Sequence, residues 1–371
     1  VEPATGDVVF GRRIAQHRAI ASTTKLMTAL LALERLRLGQ LVTVVPYPAS
    51  AVESTAGLRA GERLTAADLL RALLLASANE AAETLAVRIG GSERRFIRLM
   101  NRRARELGLT DTRFATPIGL DRPGNHSSAR DLVKLTLILR RSAFFRRVTD
   151  LPRATLRTGA RPRTILNRNL VVREWGPANG VKTGHTAQAG YVLVGSATRA
   201  GVTVISVVLG DVSEDARDAD TLALLRYGLR RYRRVTVLRR GRRVATAPVK
   251  GRDTAAALVA GRTVRRTVRR GEPVTTRLAG VPAELEGPLP AGTRVGTIEV
   301  RFRGRTVRRV PLVTARAVPA ASVLHDAGSV AARTLVVVLV AAAALGSLRL
   351  VLLIRRRQRR RRGGAQEGGV A

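Results

Sequence analysis

One stretch near the carboxyl end constrains the organisation of this chain most. Residues 335–354 (LVVVLVAAAALGSLRLVLLI) form a 20-residue run whose only charged member is Arg349. A helix of about 20 apolar residues spans the hydrocarbon core of a bilayer, which is roughly 30 Å thick. The run is followed by RRRQRRRR at 355–362, and such basic clusters stay on the cytoplasmic side. The sequence therefore predicts one transmembrane helix at 335–354 and a basic cytoplasmic tail at 355–371.

This orientation places residues 1–334 outside the cell, as the exported part of a single-pass protein of the cell membrane. The chain starts at Val1 without a signal sequence, so we expect it to be a mature or truncated form. The alternative for 335–354 is a buried soluble helix that ends in a nucleic-acid-binding tail. Cysteine is absent, which excludes disulfides, a thiolate nucleophile and cysteine-ligated zinc. With only four histidines, a histidine-rich metal centre is not expected either.

Lysine is rare in a chain that is strongly basic. The formal net charge is +39, yet only four of the 66 basic residues are lysines. They are Lys25, Lys134, Lys182 and Lys250. Arginine is not deprotonated in proteins, whereas a buried lysine can lose its proton and act as a base. The positions that keep a lysine are therefore candidates for chemistry.

Three short motifs carry groups suited to catalysis. In chain order they are Ser22-Thr23-Thr24-Lys25, Ser77-Ala78-Asn79 and Lys182-Thr183-Gly184. The first begins an apolar helix, the second follows a leucine-rich helix, and the third precedes a predicted β-hairpin. Each motif alone is a weak signal. The first and third together use half of the lysines in the chain, which makes coincidence a poor explanation.

The first motif has the chemistry of a nucleophile with its own base. Residues three apart share a helix face, so Nζ of Lys25 can reach Oγ of Ser22. Backbone N–H groups at a helix start can stabilise the oxyanion of an acyl-transfer intermediate. A free lysine has a pKa of about 10.4, and we expect burial and the second cation, Lys182, to lower it. A Ser–Lys pair of this kind needs no histidine.

These motifs and the segments around them resemble the D-alanyl-D-alanine carboxypeptidases of the low-molecular-mass penicillin-binding class, peptidase family S11. The similar segments are IASTTKLMTALLALE, LLLASANEAAETLA, FATPIGLD, HSSARDLVKL and GVKTGHTAQAGYVLVGSA. The resemblance covers about 3–231, and 235–316 resembles the C-terminal domain that many members carry before their anchor. The sequence departs from the family at Thr116, where members often have Asn, and at Ala78, where Gly is common.

The patterning and the resemblance together predict an α/β (α+β) fold of the penicillin-binding and serine β-lactamase type. We expect an antiparallel sheet flanked by helices, with strands from both ends of the catalytic domain and a helical insert between them. Asp7–Phe10 is predicted as a strand, 64–90 as helical, 190–210 as a hairpin and 214–231 as a helix. The predicted domains are a catalytic domain at 1–231, a small β-rich domain at 235–316 and a linker at 317–334.

The resemblance also implies a role for each motif residue. Ser22 would be the acyl-ester nucleophile and Lys25 its general base. Ser77 would relay a proton to the leaving D-alanine and interact with Lys182, and Asn79 would hydrogen-bond the amide of the substrate peptide.

The third motif would bind the end of the substrate. Lys182 and Thr183 would set the electrostatics of the site and engage the terminal carboxylate. The backbone of Gly184 and His185 would run beside the substrate, with the N–H of His185 as second oxyanion donor. The resemblance implies no metal and no organic cofactor.

The implied activity is removal of the terminal D-alanine from peptidoglycan stem pentapeptides, with β-lactams as covalent inhibitors of Ser22. A D,D-endopeptidase acting on cross-links would use the same residues. A β-lactamase of the same fold would need a water-activating glutamate between the second and third motifs. The glutamates considered there, Glu83, Glu93, Glu106 and Glu174, all lack the expected loop context. A non-enzymatic, arginine-rich wall-binding protein is the alternative from another class.

The basic C-terminal part suggests a partner of opposite charge. Residues 226–316 contain 23 arginines and one lysine against five acids. As a hypothesis, this domain lies against anionic wall polymers or lipid headgroups. A nucleic acid is not expected as partner, because bases stack on aromatic side chains and 235–316 contains only Phe302.

Overall fold

The structure, a computed structural model, describes residues 1–321. These residues fall into two compact units. The first comprises Val1–Val235 and Arg266–Glu272, and the second Thr236–Arg265 and the described residues from Pro273 onward. Within 1–321, no helix has the length and apolar character needed to cross a membrane. The transmembrane helix predicted at 335–354 and the basic tail lie outside the described residues.

The first unit contains eight helices. They are α1 (Lys25–Arg35), α2 (Ala66–Arg71), α3 (Asn79–Gly90), α4 (Glu93–Glu106), α5 (Ala129–Leu139), α6 (Ala143–Thr149), α7 (Leu170–Glu174) and α8 (Glu214–Arg231). Five of them begin after a serine or threonine whose hydroxyl accepts a hydrogen bond from the backbone N–H three residues later. Such caps satisfy backbone donors that the helix itself leaves unpaired.

Helix α1 is the centre of the main hydrophobic core. Eight successive residues of α1, from Lys25 to Ala32, are buried. A helix buried on all sides must be almost entirely apolar, and LMTALLA satisfies this requirement with one polar member, Thr28, whose hydroxyl donates to the carbonyl oxygen of Pro117. Lys25 is the single charged residue in this buried stretch, so its amine is held away from solvent at the start of the helix.

The sheet of the first unit consists of β5 (Ala178–Thr186), β6 (Gly190–Arg199) and β7 (Val202–Asp211), paired antiparallel in that order. Two short antiparallel pairs accompany it: β1 (Leu41–Thr43) with β2 (Arg63–Thr65), and β3 (Arg153–Leu156) with β4 (Arg163–Leu166). The hairpin predicted at 190–210 is confirmed as β6 and β7. The helix predicted at 214–231 is confirmed as α8.

The strand predicted at Asp7–Phe10 is wrong. Asp7 makes only an isolated bridge to Glu2. The Glu2 carboxylate accepts hydrogen bonds from the N–H groups of Ala4 at 3.1 Å and Thr5 at 2.7 Å, so the segment closes on itself as a turn. The N-terminal contribution to the sheet is limited to Val1, whose amino group donates to the carbonyl of Ile205 on β7 at 2.7 Å.

The region predicted as helical over 64–90 is confirmed as helical from 66 to 76 and from 79 to 90, with an interruption at the second motif. It consists of α2, a π-helical turn at Ala72–Ala76 and α3. Ser77 lies between the last two, with a left-handed backbone (φ +60°) that ends the first helical stretch. Because L-residues rarely adopt this conformation, the chain accepts a local backbone cost of about 1 kcal/mol at a candidate catalytic residue.

The second unit is built from β-strands. Its main sheet has five, in the order β12 (Val274–Ala279), β13 (Arg294–Phe302), β14 (Arg305–Thr314), β10 (Ala255–Ala260) and β9 (Arg243–Pro248). Neighbouring strands run antiparallel. Their buried residues, including Leu258, Ile298 and Leu312, form a separate hydrophobic core. Two further strands, β8 (Tyr232–Leu238) and β11 (Val264–Arg269), pair with each other. Each of them begins in one unit and ends in the other.

Candidate active site

Ser22 and Lys25 lie together at the start of α1. Ser22 belongs to a 3₁₀ turn, Ala21–Thr24, that leads directly into the helix. Nζ of Lys25 is 2.9 Å from Oγ of Ser22, so the predicted pair is within hydrogen-bonding distance. Ala21, immediately before the serine, has a left-handed backbone with φ +44°. The turn thereby presents Ser22 to a surface cleft while Lys25 stays buried beneath it.

Two further oxygens surround the amine of Lys25. Nζ donates to Oδ1 of Asn79 at 2.6 Å and to the carbonyl oxygen of Ile118 at 2.7 Å. A neutral amine has two N–H donors and one lone pair. With both donors directed at carbonyl oxygens, the lone pair remains for the hydroxyl proton of Ser22. The three contacts therefore orient Lys25 as a base.

The pKa of Lys25 is lowered to about 7. Burial is the main cause, as the sequence predicted, because the charged form loses its hydration. Glu53 and Glu80 act in the opposite direction and raise this pKa, whereas the charge of Arg168 lowers it. Arg168 thus has the effect on Lys25 that we expected of Lys182. The pKa of Lys182 is itself held well below its usual value, first by burial and then by the charges of Lys25, Arg168 and Arg217.

Strand β5 brings the third motif against the 3₁₀ turn. At Gly184 a Cβ would lie 2.8 Å from the backbone N of Ser22 and 3.0 Å from Cβ of Ala21. Real Cβ atoms do not approach backbone so closely, so the contact requires glycine. Gly119 makes a similar approach from the loop that carries Ile118, and a Cβ there would lie 2.0 Å from the carbonyl oxygen of Ala21.

The side chains of Lys182 and Ser77, whose interaction the family resemblance implied, are both buried and are not hydrogen-bonded to each other. Lys182 is 1% exposed and donates from Nζ to the carbonyl oxygen of Thr183 at 2.8 Å. Ser77 is 2% exposed, and its Oγ has no hydrogen-bond partner within residues 1–321. Its left-handed backbone at the end of the π-helical turn holds it there. The hydroxyl is thus buried in the lining of the cleft, with its hydrogen-bonding capacity unused within the described residues.

Asn79 begins α3 and has both ends of its amide occupied. Its Oδ1 accepts from Lys25, and its Nδ2 donates to Oε2 of Glu53 at 2.6 Å and to Oη of Tyr47 at 3.4 Å. Asn79 is 3% exposed. The structure therefore places this amide beside Lys25, whereas the resemblance assigned it to the substrate peptide.

Glu53 and Tyr47 are site residues that the sequence did not reveal. Glu53 accepts a hydrogen bond from the phenol of Tyr47 as well as from Asn79. Both lie in the long connection between β1 and β2, in PYPASAVESTAG, where no motif marks them. The loop reaches the site only because of how it folds back onto α3.

Arg217 is a third residue that the sequence reasoning missed. It lies on α8, is 2% exposed and lines the cleft. Its guanidinium pairs with Glu214 at 2.7 Å and Asp218 at 2.9 Å. It also lies over the ring of Tyr191, which stacks on His185 with ring centroids 4.0 Å apart. The acid-rich stretch SEDARDAD, unusual in so basic a chain, was the available signal.

The cleft itself has a volume of about 490 Å³. It brings together members of all three motifs, Ser22, Ser77, Thr183 and Gly184, with the neighbouring His185. Arg168 and Arg173 give part of the lining a positive charge, which suits an anionic end of a substrate, whereas the charge of Arg217 is balanced by its ion pairs with Asp218 and with Glu214, another lining residue. Among residues 1–321, no three His, Asp or Glu side chains are placed to hold a metal ion.

Comparison with known proteins agrees with this geometry. Residues 1–213 match the family described as D-alanyl-D-alanine carboxypeptidase. The chain belongs to this family. Residues 232–320 match the family described as the C-terminal domain of penicillin-binding protein 5. The two matches together cover both units of the structure.

Individual relatives are similar over most of their length. The chain is 33% identical over 336 residues to D-alanyl-D-alanine carboxypeptidase DacC of Escherichia coli K12, covering 84% of this chain and 80% of that protein. It is 29% identical over 321 residues to DacF of Bacillus subtilis, covering 84% and 82%. Both relatives are named as carboxypeptidases.

Solved structures show the same fold. Penicillin-binding protein 5 from Haemophilus influenzae is 27% identical, with a TM-score of 0.60, and the match covers 86% of this chain and 96% of that one. A mutant of the Streptomyces K15 DD-transpeptidase is 33% identical, with a TM-score of 0.60, covering 62% and 95%. The expected α+β architecture with a C-terminal β domain is confirmed.

Proposed function

We propose that this D-alanyl-D-alanine carboxypeptidase removes the terminal D-alanine from peptidoglycan stem pentapeptides through an acyl-enzyme on Ser22. The observation that carries this proposal is the arrangement around Lys25. Its amine is 2.9 Å from Oγ of Ser22 and has its other contacts on Asn79 and Ile118. With a pKa of about 7, a large fraction of Lys25 is neutral at physiological pH.

Acylation of Ser22 is the first step of the proposed reaction. The Ser22 hydroxyl transfers its proton to Lys25, and Oγ attacks the carbonyl carbon of the penultimate D-alanine. The negative charge that develops on the carbonyl oxygen is stabilised by the backbone N–H groups of Ser22 and His185. Thr183 and the arginines that line the cleft bind the terminal carboxylate, and Lys182 contributes to the electrostatics of the site.

The intermediate collapses when the carbon–nitrogen bond breaks. The leaving amine of D-alanine takes up a proton, which Ser77 relays from Lys25. Water then attacks the ester carbonyl, the bond to Oγ breaks, and Ser22 regains its proton. The products are D-alanine and a tetrapeptide, which is no longer a donor for cross-linking.

Release of D-alanine from a stem pentapeptide tests this proposal. The wild-type protein releases one D-alanine per pentapeptide, and Ser22→Ala releases none above the uncatalysed rate. A Ser22→Ala protein that keeps turning over would exclude Ser22 as nucleophile. A D,D-endopeptidase would instead cleave a cross-linked dimer faster than the pentapeptide, so the two substrates are compared in parallel.

β-Lactams present an equivalent carbonyl and carboxylate, and we expect them to acylate Ser22. A β-lactamase must also hydrolyse that acyl-enzyme rapidly, which requires a base for the attacking water. Glu83, whose pKa burial raises to about 7, is a glutamate of the candidate interval that could act as a base. It lies on α3, however, and is not part of the cleft lining, so a long-lived adduct is expected.

We further propose that residues 335–354 anchor the protein in the cell membrane, with 1–334 outside and 355–371 inside. The support is the length of the apolar run and its arginine-rich flank. Protease added to intact cells should remove an epitope placed in the second unit and spare one at the C-terminus. The opposite pattern would reverse the orientation.

We also propose that the second unit contacts anionic wall polymers. Five exposed arginines cluster where the turn between β8 and β9 hydrogen-bonds to the turn between β10 and β11. They are Arg239, Arg240, Arg242, Arg243 and Arg262. Among the described residues, none of the five forms an ion pair. Binding of the protein to purified wall material should weaken steeply with salt, and binding that is insensitive to salt would contradict an electrostatic contact.

A further inference from the structure

The carboxylate of Glu53 is built into the site although none of the three motifs contains it. We propose that Glu53 is a positioning residue, which fixes the amide of Asn79 with its oxygen toward Lys25 and keeps a negative charge beside the general base. The inference rests on the proposed function, because it assumes that Lys25 activates Ser22.

The hydrogen-bond chain from Glu53 to Lys25 has only one consistent direction. An ionised carboxylate only accepts hydrogen bonds, so the group of Asn79 that faces it at 2.6 Å must be the NH₂. The carbonyl end of the amide is then directed at Nζ of Lys25, also at 2.6 Å. If the amide rotated by 180°, its carbonyl oxygen would face the carboxylate of Glu53, which opposes two acceptors, and its NH₂ would face Lys25, where it could only occupy the lone pair that Ser22 needs. Glu53 thereby selects the orientation that Lys25 needs.

Tyr47 and Ser50 hold the carboxylate in place. The phenol of Tyr47 donates to Oε2 of Glu53, and the hydroxyl of Ser50 is 3.1 Å from Oε1. Burial raises the pKa of Tyr47 and the hydrogen bond to Glu53 raises it further, so the phenol remains a donor. Burial also acts to raise the pKa of Glu53, but hydrogen bonds from Tyr47, Asn79 and Ser50 lower it overall. The carboxylate is therefore ionised throughout the neutral range.

The loop that carries Glu53 is fastened to the first turn of α3. The backbone N–H of Asn79 donates to the carbonyl oxygen of Ser54 at 2.8 Å. The carboxylate of Glu80 accepts from the N–H of Ala56 at 2.7 Å. The backbone of Asn79 and the side chain of the next residue are thus tied to the segment that follows Glu53. This anchoring sets the position of the carboxylate relative to the amide.

The charge of Glu53 also acts on Lys25 through space. Glu53 and Glu80 stabilise the protonated amine, whereas Arg168 opposes it and Lys182 lies close enough to interact. Removing only the charge of Glu53 should therefore lower the pKa of Lys25. Since the neutral amine is the active form, the acidic limb of the pH–rate profile should move to lower pH. A residue that only supports the fold would not move this limb.

Two substitutions separate the orienting effect from the charge. Glu53→Gln keeps an acceptor for Asn79 and Tyr47 but removes the charge. Its acylation rate at high pH should stay within about threefold of wild type. The acidic limb of its pH–rate profile should shift to lower pH by about half a pH unit or more. Glu53→Ala removes the acceptor too, so the Asn79 amide can rotate, and acylation should fall about 10- to 100-fold at every pH.

The measurement is the second-order rate of acylation by a chromogenic or fluorescent penicillin between pH 5 and 9, on the full chain. Glu106→Gln is the matched control, because it removes one exposed carboxylate at the end of α4 and should reproduce the wild-type profile. Thermal unfolding of each variant reports whether it is folded. If Glu53→Ala does not fold, the pH–rate profile of Glu53→Gln still shows whether the charge of Glu53 acts on Lys25.

The outcomes are distinguishable. A Glu53→Gln limb that coincides with that of wild type, together with a Glu53→Ala rate within threefold, would overturn the inference. An equal loss at all pH values in both variants, accompanied by a lower melting temperature, would show a structural role only. A wild-type protein that is neither acylated nor releases D-alanine would instead overturn the proposed function.

Discussion

Oδ1 of Asn79 lies 2.6 Å from Nζ of Lys25, although 54 positions separate the two residues in the sequence. This contact joins the first motif to the second inside the core of the catalytic unit. It uses one N–H of the amine, and the carbonyl of Ile118 uses another, so the remaining lone pair is available to Ser22. The second motif therefore contacts the proposed general base directly, through Asn79.

The protonation of Lys25 should control acylation. Because its pKa is about 7, the rate constant for acylation should rise about tenfold per pH unit below 7 and level off above it. Lys25→Arg keeps a cation that cannot be deprotonated, so acylation should fall by about 10³-fold or more over the whole range. Stopped-flow acylation with a reporter penicillin measures both. A flat profile for the wild-type protein would show that Lys25 is not the base.

The titration of Lys25 should also make the free energy of unfolding depend on pH. Its pKa is about 7 in the folded protein and about 10.4 in an unfolded chain, so between these values the unfolded state binds more protons. The free energy of unfolding contributed by Lys25 therefore rises as pH increases from about 7 to 10, and it is constant below that window. We compare melting temperatures of wild type and Lys25→Met, which lacks the titrating group. Wild type should gain on the variant as pH rises, and a constant difference would contradict the low pKa.

The close approach of β5 to the nucleophile should not tolerate a side chain. Gly184→Ala would place Cβ 2.8 Å from the backbone N of Ser22, which displaces the strand or the turn. Misplacing reacting groups by about 1 Å can cost on the order of 100-fold, so acylation should fall by about that factor. Gly176→Ala is the matched control, since a Cβ there would meet nothing within 4 Å. Equal rates for the two variants would show that the contact does not matter.

Ser77 should matter for chemistry and little for folding. Its Oγ has no hydrogen-bond partner within the described chain, so Ser77→Ala removes no intramolecular hydrogen bond. The melting temperature should change by less than about 2 °C, because little stabilising interaction is lost. Turnover of a pentapeptide should fall about 100-fold or more, since the proton relay is lost. A large loss of stability with unchanged turnover would reverse these assignments.

Local sequence patterns were sufficient for the parts of the site that lie within one element. Residues Ser22 and Lys25 share a helix start, and their spacing of three positions determines that they meet. The hairpin of β6 and β7 and helix α8 were also readable, because their periodicity and caps are local. The scarcity of lysine in so basic a chain was enough to single out Lys25 and Lys182 as candidates.

Contacts between residues that lie far apart in the sequence could not be predicted from local patterns. Glu53 lies in a loop without periodicity and reaches Asn79 only through the way that loop is anchored on α3. The carbonyl of Ile118 is a backbone group, and no side chain marks it. The strand predicted at Asp7–Phe10 failed for a related reason: the carboxylate of Glu2 satisfies nearby N–H groups and stabilises a turn instead.

The most direct test of Ser22 as the nucleophile is mass spectrometry of the purified protein after brief exposure to benzylpenicillin. We predict a mass increase equal to one intact penicillin, located on the peptide that contains Ser22 and absent from Ser22→Ala. The adduct should persist while the unmodified protein releases D-alanine from a pentapeptide. Rapid loss of penicillin without a lasting adduct would indicate a β-lactamase. An adduct on another residue, or no reaction at all, would contradict the assignment of Ser22 as the nucleophile.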